Sequence, residues 1–294
     1  MLTKKILLLL TLLAGLFSIN SCAQSIPPRH IVVVILENHG FKQIIESPNA
    51  PYINSLAKDD HSALFTNSHG VTHPSQPNYV MLFAGTNHGI TDDKMPKNIP
   101  FNNPNLGAEI LAKGLTFAGY SESLPSTGFN GAYSGDYARK HNPWVNWQDA
   151  SQNAIPAKLN LPLSHFPENY SDLPTISFVI PNQHHDMHNG KDPARIKRGD
   201  LWLKEHLNGY IQWAKTHNSL FILTFDEDDF TPANRIPTLF VGQMVKKGQY
   251  KQNINHYNVL RTIEDMYGLA YVGASAHAKP ITDCWKNEKL SAQN

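Results

Sequence analysis

Oxygen-bearing side chains follow apolar runs at two places in the chain. One pair, Glu37 and Asn38, comes directly after IVVVIL, and another, Asp226 and Glu227, comes directly after LFILTF. Carboxylate and carboxamide oxygens are the ligands that hard divalent cations prefer. The second pair opens a run of four carboxylates, which repel one another unless a cation offsets their charge. We therefore predict that the two pairs hold a divalent metal ion, the structural alternatives being a capped turn and a solvated acidic turn.

A serine lies near the expected start of a helix in the segment HGVTHPSQPNY, residues 69–79. Pro77 suits the first turn of a helix because its nitrogen carries no hydrogen, and Gly85 suits the end. Ser75 would then lie where free N–H groups and the helix dipole favour an anion and help to activate a hydroxyl. Ser75 is therefore a candidate nucleophile, although capping a helix is the commoner role of such a serine.

Histidines cluster after a third apolar run, TISFVI. His184, His185 and His188 stand within five residues, together with Asp186. Imidazoles at a strand end bind a metal, hold a phosphate or protonate a leaving group, whereas an isolated loop histidine is usually only solvated. Together with a hydroxyl and a cation, they fit metal-assisted phosphoryl transfer, in which Ser75 attacks, a phosphoenzyme forms, and water hydrolyses it.

Strand and helix patterns alternate along the chain, and the strand segments are apolar throughout. This pattern predicts an α/β fold with a mostly parallel central sheet and helices on both faces. Asp200 is expected to cap an amphipathic helix, and Asn255 to cap the last one, which ends at Gly268. The segment 121–157 shows no period, and we expect it to be an insertion that packs over the site or forms part of a lid.

The composition excludes several classes of protein. The 294 residues carry a net charge of +1 and are 41% hydrophobic, so neither a nucleic-acid-binding surface nor a polybasic membrane patch is indicated. The length suits one large α/β domain, which we place at residues 26–294. No P-loop, GxSxG or GxGxxG motif is present, so ATPase, α/β-hydrolase and dinucleotide-binding functions have no local support.

The N-terminus has the order of a secretory signal. Two lysines precede an apolar stretch, Ile6 to Phe17, that is too short to span a membrane as a helix. The following INSC resembles a bacterial lipobox, so we predict a signal peptide at residues 1–22 and lipidation of Cys22; cleavage after Ala23 is the alternative. The protein would then be exported, and either periplasmic or attached to the outer membrane through Cys22.

Five motifs occur in an order that resembles a known family. They are ENHGF at 37–41, THPSQPNY at 72–79, DMH at 186–188, FDEDD at 225–229 and NHYNVLRTIEDMYGL at 255–269. Together they resemble the bacterial phosphoesterase family of acid phosphatases and phosphatidylcholine-type phospholipases C. The resemblance implies an alkaline-phosphatase-like fold. It also implies functional residues: metal ligands at Glu37, Asn38, Asp226 and Glu227, the nucleophile at Ser75, phosphoryl contacts from Asn78, and substrate or leaving-group contacts from His185, Asp186 and His188.

The expected function is that of a metal-dependent acid phosphatase acting on small phosphomonoesters through a phosphoserine on Ser75. The ion could be Mg²⁺, Ca²⁺, Mn²⁺ or Zn²⁺. A phospholipase C or phosphodiesterase is the alternative within the family, and the lack of an evident C-terminal membrane-binding domain argues against it. A surface lipoprotein that binds a phosphorylated ligand without turnover is the second alternative, and the intact candidate residues argue against that.

Overall fold

The computed structural model describes residues 27–286 of the chain. The predicted signal peptide, residues 1–22, lies outside the described residues, as does the lipidation site Cys22. Among the described residues, no helix is long and apolar enough to cross a membrane.

A twisted sheet built from nine strands forms the centre of the described part of the chain. Its strands are β1 (His30–Leu36), β2 (Ser62–His69), β3 (Phe117–Ser121), β6 (Asn160–Pro162), β7 (Ile176–Ile180), β8 (Ser219–Phe225), β9 (Arg235–Gly242), β10 (Gly248–Tyr250) and β11 (Ile254–Asn255). A separate short hairpin pairs β4 (Tyr133–Ser134) with β5 (Tyr137–Ala138).

The order of the main sheet is β10-β2-β9-β8-β1-β7-β3-β6, and β11 also pairs with β2. Strand β9 runs antiparallel to both of its neighbours, β8 and β2, and the other pairings are parallel. The prediction of an α/β fold with a mostly parallel sheet is therefore confirmed.

Helices cover both faces of this sheet. They are α1 (Phe41–Ile44), α2 (Pro51–Ala57), α3 (Ser75–Ala84), α4 (Leu106–Ala112), α5 (Ala194–Ala214) and α6 (His256–Tyr267). Helices α3, α4 and α6 share one buried cluster, and α2 and α5 share the other. Single turns of 3₁₀ helix lie at 139–141, 143–147, 157–159, 163–165, 170–172 and 273–277.

Strand β1 is buried on both faces, which explains its unbroken apolar sequence. Ile31, Val33 and Ile35 belong to the cluster with α3, whereas Val32 and Val34 belong to the cluster with α5. A strand between two helical layers has no face left for polar side chains. The polar residues that follow β1 therefore mark the edge of the sheet.

The caps of the helices agree with the sequence at three positions and differ at one. Gly85 and Gly268 end α3 and α6 in the left-handed conformation, and Asn255 caps the start of α6. The prediction that Asp200 caps its own helix is wrong, because α5 begins at Ala194. The Asp200 carboxylate instead accepts hydrogen bonds from the first N–H groups of the neighbouring helix α2.

The part of the insertion at 121–157 that carries Trp144 and Trp147 is built into the core of the fold. Trp144 and Trp147 are fully buried in the cluster with α3. A Cβ at Gly119 would lie 2.1 Å from the Trp144 ring, so glycine in β3 makes room for this packing. The docked tryptophans fix the turn that carries Lys140 and His141, both of which are buried.

Candidate active site

Glu37 and Asp226 are brought together by the register of the strands that precede them. Strands β1 and β8 are parallel neighbours whose last residues, Leu36 and Phe225, are paired. The Asp226 N–H donates to the Leu36 carbonyl (3.0 Å), and the Asn38 N–H donates to Asp226 Oδ1 (3.1 Å). The two polar strand ends thus lie side by side at the carboxyl edge of the sheet, where open α/β folds bind ligands.

The Ser75 hydroxyl lies among these oxygen atoms. Ser75 is the first residue of α3, and it is buried. Its Oγ is 3.1 Å from Glu37 Oε2, 3.1 Å from Glu227 Oε1 and 3.3 Å from Asn38 Oδ1. A hydroxyl has one hydrogen to donate, so it can satisfy one of these acceptors at a time. The remaining contacts set lone pairs against lone pairs, and a cation among them would stabilise the arrangement.

Asp226 adds a further carboxylate oxygen to the same cluster. Its Oδ2 is buried and has no hydrogen-bond partner among residues 27–286. Such an oxygen is costly to bury unless something binds it. The possible metal ligands around Ser75 are carboxylate, carboxamide and hydroxyl oxygens, the set that Mg²⁺, Ca²⁺ and Mn²⁺ favour. The residues present therefore fit a divalent cation.

The three carboxyl groups differ in the direction of their pKa shifts. Burial, together with the charges of Glu37 and Glu227, raises the pKa of Asp226 well above its usual range. Burial also raises the pKa of Glu227, to about 7. Burial would raise the pKa of Glu37 too, but nearby positive charge, that of His141 first, outweighs it and lowers this pKa. A bound cation would favour the ionised form of all three groups.

His73 contacts the carboxylate oxygen of Glu227 that does not face Ser75. Its Nδ1 lies 2.5 Å from Glu227 Oε2, and its Nε2 lies 3.3 Å from the Thr231 carbonyl. Glu227 therefore links the His73 imidazole to the Ser75 hydroxyl. His73 was not predicted from the sequence, although its position two residues before Ser75 was the available signal.

A buried histidine stands between Glu37 and Asp186. His141 Nε2 is 3.3 Å from Glu37 Oε1, and His141 Nδ1 is 3.3 Å from Asp186 Oδ2. The imidazole stacks on Tyr79 at 4.9 Å, and the Tyr79 hydroxyl donates to Glu37 Oε1 (2.5 Å). Burial lowers the pKa of His141, but the two carboxylates outweigh it and raise this pKa to about 9. Glu37, His141 and Asp186 also form a buried group that could hold a metal ion, with ligand atoms within 4.8 Å of one another.

The predicted histidines occupy the loop that follows β7. The His188 N–H donates to Asp186 Oδ1 (2.7 Å), and the His188 ring lies 6.4 Å from the His141 ring. The His185 side chain is 31% exposed, and its Nδ1 lies 2.9 Å from Glu122 Oε1. His188 thus borders the buried cluster, whereas His185 is paired with a carboxylate from the segment after β3.

Asn78 uses its side-chain amide within the protein. Its Oδ1 accepts from the N–H groups of Val71 (3.0 Å) and Thr72 (3.1 Å). Its Nδ2 donates to the carbonyls of Thr72 (2.7 Å) and Pro74 (3.2 Å). Asn78 is fully buried, and these four bonds shape the loop that leads into Ser75.

Tyr79 and His141 were not identified from the sequence. Tyr79 stands inside the motif THPSQPNY, but the motif alone does not distinguish a site residue from a core residue. His141 lies in the aperiodic insertion, and no spacing relates it to Glu37 or Asp186. Only the packing of that insertion against β3 brings His141 to the site.

The sheet and the serine at its edge define a class of protein. The structure aligns with a crystal structure of a protein in the alkaline phosphatase superfamily from Vibrio parahaemolyticus, with a TM-score of 0.58 and 12% identity. The alignment covers 87% of this chain and 71% of the other. At this identity the likeness is one of fold, and the predicted alkaline-phosphatase-like fold is confirmed.

Sequence comparison places the chain more narrowly. The model described as "Phosphoesterase family" matches residues 45–270. The chain is 47% identical over 258 residues to a phosphatidylinositol-3-phosphatase from Mycobacterium tuberculosis, covering 87% of this chain and 82% of the relative. It is 28% identical over 286 residues to an acid phosphatase from Aspergillus fumigatus, covering 88% of this chain and 62% of that enzyme. The chain belongs to the Phosphoesterase family, and it is a hydrolase of phosphoric ester bonds.

Proposed function

We propose that this chain is a metal-dependent phosphomonoesterase that works through a phosphoserine on Ser75. The observation that supports the proposal best is the position of Ser75 Oγ, at the first residue of a 10-residue helix and within 3.3 Å of three acceptor oxygens. The helix dipole favours negative charge at this end, which suits both a serine alkoxide and a bound phosphoryl group.

The cation would be held by Glu37, Asn38, Asp226 and Glu227, close to Ser75 Oγ. When bound, such an ion polarises a phosphoryl oxygen and lowers the pKa of a neighbouring hydroxyl. The oxygen ligands favour Mg²⁺, Ca²⁺ or Mn²⁺, and His141 beside Glu37 keeps Zn²⁺ among the candidates. The group Glu37, His141 and Asp186 supports the same proposal, because it extends the donor set with an imidazole.

Ser75 acts as the nucleophile in this scheme. The bond between its Oγ and phosphorus forms as the bond from phosphorus to the leaving oxygen breaks. Two carboxylates, Glu37 and Glu227, lie within hydrogen-bond distance of Oγ and can accept its proton. Water then attacks the phosphoserine and releases inorganic phosphate, and the serine hydroxyl is restored.

The histidines after β7 supply the leaving-group proton. His188 borders the buried cluster and His185 is partly exposed, and both follow β7, which ends at the same edge of the sheet as its parallel neighbour β1. We assign proton donation to these two residues. Asn78, whose amide already has four partners, acts by holding the loop before Ser75 in place.

The substrate is a phosphomonoester, either a small molecule or a phosphorylated lipid headgroup. The relatives named acid phosphatase and phosphatidylinositol-3-phosphatase support this range. We also propose an acidic optimum, which the relative named acid phosphatase supports. We also propose that the protein is exported and is attached to the outer membrane through Cys22. Lipidation of Cys22 would place the site at a membrane surface.

The test is steady-state hydrolysis of p-nitrophenyl phosphate against p-nitrophenylphosphorylcholine, from acid to neutral pH, with and without chelator. Monoester turnover that is lost on chelation and restored by one divalent metal is the expected result. Turnover of the diester alone would move the assignment to a phospholipase C. Turnover of neither ester in the presence of metal would favour a non-catalytic binder.

Ser75→Ala isolates the nucleophile. We expect turnover to fall by at least about 1,000-fold, because losing a nucleophile removes the covalent path, while the melting temperature stays near wild type. Ser164→Ala is the matched control, since Ser164 is exposed on a short 3₁₀ turn. Trapping of phosphate on wild type but not on Ser75→Ala at low pH would identify the phosphoserine directly.

A further inference from the structure

Phe230 is an exposed aromatic residue in a backbone conformation that phenylalanine rarely adopts. Its relative exposure is 63%, and its φ is +66°. The left-handed region costs free energy for a residue with a Cβ, relative to its usual conformations. A phenylalanine that is mostly exposed recovers little of this through burial. The stability of the fold therefore does not explain why this side chain is held here.

The loop that carries Phe230 is ordered by its own hydrogen bonds. It joins β8 to β9, and the Thr231 N–H donates to Asp228 Oδ1 (2.8 Å). The Asp228 N–H donates to Asn234 Oδ1 (2.8 Å), and Asn234 Nδ2 donates to the Thr72 carbonyl (3.0 Å). The loop is thereby tied to the segment that leads into the nucleophilic serine. These hydrogen bonds hold the loop in one conformation, in which the Phe230 side chain is exposed to solvent.

Phe230 is connected to Ser75 through two other side chains. Its ring stacks on His73, with 4.8 Å between centroids and 20° between planes. His73 contacts Glu227 Oε2, and Glu227 Oε1 lies 3.1 Å from Ser75 Oγ. His73 is 24% exposed at its side chain, so the stacked pair forms part of the rim of the site.

We propose that Phe230 determines substrate specificity, by stacking on the planar, apolar part of a phosphomonoester whose phosphate lies at Ser75. The proposal rests on the proposed phosphomonoesterase function and names the class of leaving group it prefers, aryl over small polyol. An exposed aromatic face at the rim of the site gains free energy when a flat apolar group covers it. The positive φ of Phe230 is a strained conformation that the surrounding loop maintains. Strain of this kind is typical of positions that contact a ligand.

The experiment compares kcat/KM for p-nitrophenyl phosphate with kcat/KM for glycerol 2-phosphate. Phe230→Ala and Phe230→Gly remove the aromatic contact with the aryl group. They should lower the ratio of kcat/KM for the aryl ester to kcat/KM for glycerol 2-phosphate by about 3- to 10-fold. The loss should appear in KM for the aryl ester, because a contact made equally in the ground and transition states affects binding alone. Phe230→Tyr should restore the ratio. Leu201→Ala, which removes another exposed apolar side chain, should leave it at the wild-type value.

The two small variants also separate strain from stacking. Glycine accepts a positive φ without cost, so Phe230→Gly should melt about 2 to 4 °C above Phe230→Ala. A ratio that is unchanged in both variants, or turnover of both substrates that falls equally in kcat, overturns the specificity role and leaves the phosphomonoesterase function standing. Absence of turnover of either ester by wild type, with metal present, overturns the proposed function and this inference together.

Discussion

His73 and Glu227 are joined by a contact of 2.5 Å between Nδ1 and Oε2. The Glu227 side chain is fully buried, whereas His73 reaches the surface. Because the other carboxylate oxygen of Glu227 faces Ser75, the imidazole fixes the orientation of a group that we assign to the metal. Partners that orient a ligand in this way affect metal affinity even though they do not touch the ion.

Replacing His73 with alanine should therefore weaken metal binding. The variant leaves Glu227 Oε2 without its donor, and loss of such a partner typically lowers metal affinity by about 10- to 100-fold. Titration of the chelator-treated enzyme with Mn²⁺, followed by activity and by calorimetry, measures this directly. His165→Ala is the control, since His165 is exposed on the turn at 163–165. An unchanged metal affinity would show that Glu227 needs no orienting partner.

Asp226→Asn should separate the cost of crowded carboxylates from the benefit of the metal. Without metal, the variant should be more stable than wild type, because Asp226 is buried beside two further carboxyl groups that raise its pKa. With metal at 100 times its Kd, wild type should gain about 2.7 kcal/mol while the variant gains little. Chemical denaturation with chelator and with metal gives both free energies of unfolding.

Metal content gives an independent check on the same variant. Elemental analysis after dialysis against a divalent metal should find metal in wild type and little in Asp226→Asn. Equal content in the two proteins would falsify the assignment of Asp226 as a ligand. Glu168→Gln, which removes an exposed carboxyl group, serves as the control for nonspecific metal binding.

The strand ends could be predicted because burial on both faces leaves a clear pattern. Val33 and Val34 enter opposite clusters, so β1 is apolar at every position and Glu37 marks its end. Because the parallel and antiparallel strands are equally buried, the direction of a strand could not be predicted from its sequence. Strand β9 is antiparallel to its neighbours, but its residues from Ile236 to Gly242 are as buried as those of the parallel strands. Nothing in its composition distinguishes the two directions.

The histidine between the carboxylates could not be predicted, for a different reason. His141 is placed by the contact of Trp144 with Gly119, which joins an aperiodic segment to β3. Such contacts depend on shape at single positions and leave no periodic trace in the sequence. The position of Ser75 at a helix start, in contrast, could be predicted, because a proline in the first turn and Gly85 at the end delimit that helix.

Asp200→Ala should destabilise a helix other than its own. Asp200 Oδ2 and Oδ1 accept from the N–H groups of Tyr52 (2.9 Å) and Ile53 (2.8 Å) at the start of α2. The capping residue of α2, Ala50, has no side-chain acceptor to replace them. We expect a loss of about 1 to 2 kcal/mol in the free energy of unfolding, with kcat/KM unchanged.

The size of that loss distinguishes capping from simple charge removal. Asp200→Asn keeps one acceptor oxygen and should lose less stability than Asp200→Ala, by urea denaturation at neutral pH. Asp172→Ala, at the exposed turn 170–172, is the matched control. Equal stability of Asp200→Ala and wild type would mean that solvent satisfies the first turn of α2 as well as the carboxylate does.

Glu264 predicts a pH dependence of stability that is independent of the active site. Its Oε1 accepts from the Val272 N–H (2.8 Å), and its Oε2 is buried without a partner in the described part of the chain. Burial raises the pKa of Glu264 to about 7, although Arg261 opposes this shift, while Asp265 adds to it. Because the folded-state pKa exceeds the unfolded one, this group's contribution is fully present below about pH 4.5 and is lost as the pH rises to about 7.

Glu264→Gln should therefore be more stable than wild type above pH 7 and no more stable at pH 4.5. The amide keeps the acceptor for Val272 and cannot ionise, but its NH₂ group is buried where Oε2 has no partner among the described residues, so the expected gain at pH 8 is reduced to about 1 to 2 kcal/mol. Urea denaturation of both proteins at a series of pH values between these limits measures the difference. A gain that is the same at every pH would reflect packing, whereas a gain that grows between pH 4.5 and pH 7 follows from the ionisation of a buried carboxyl group.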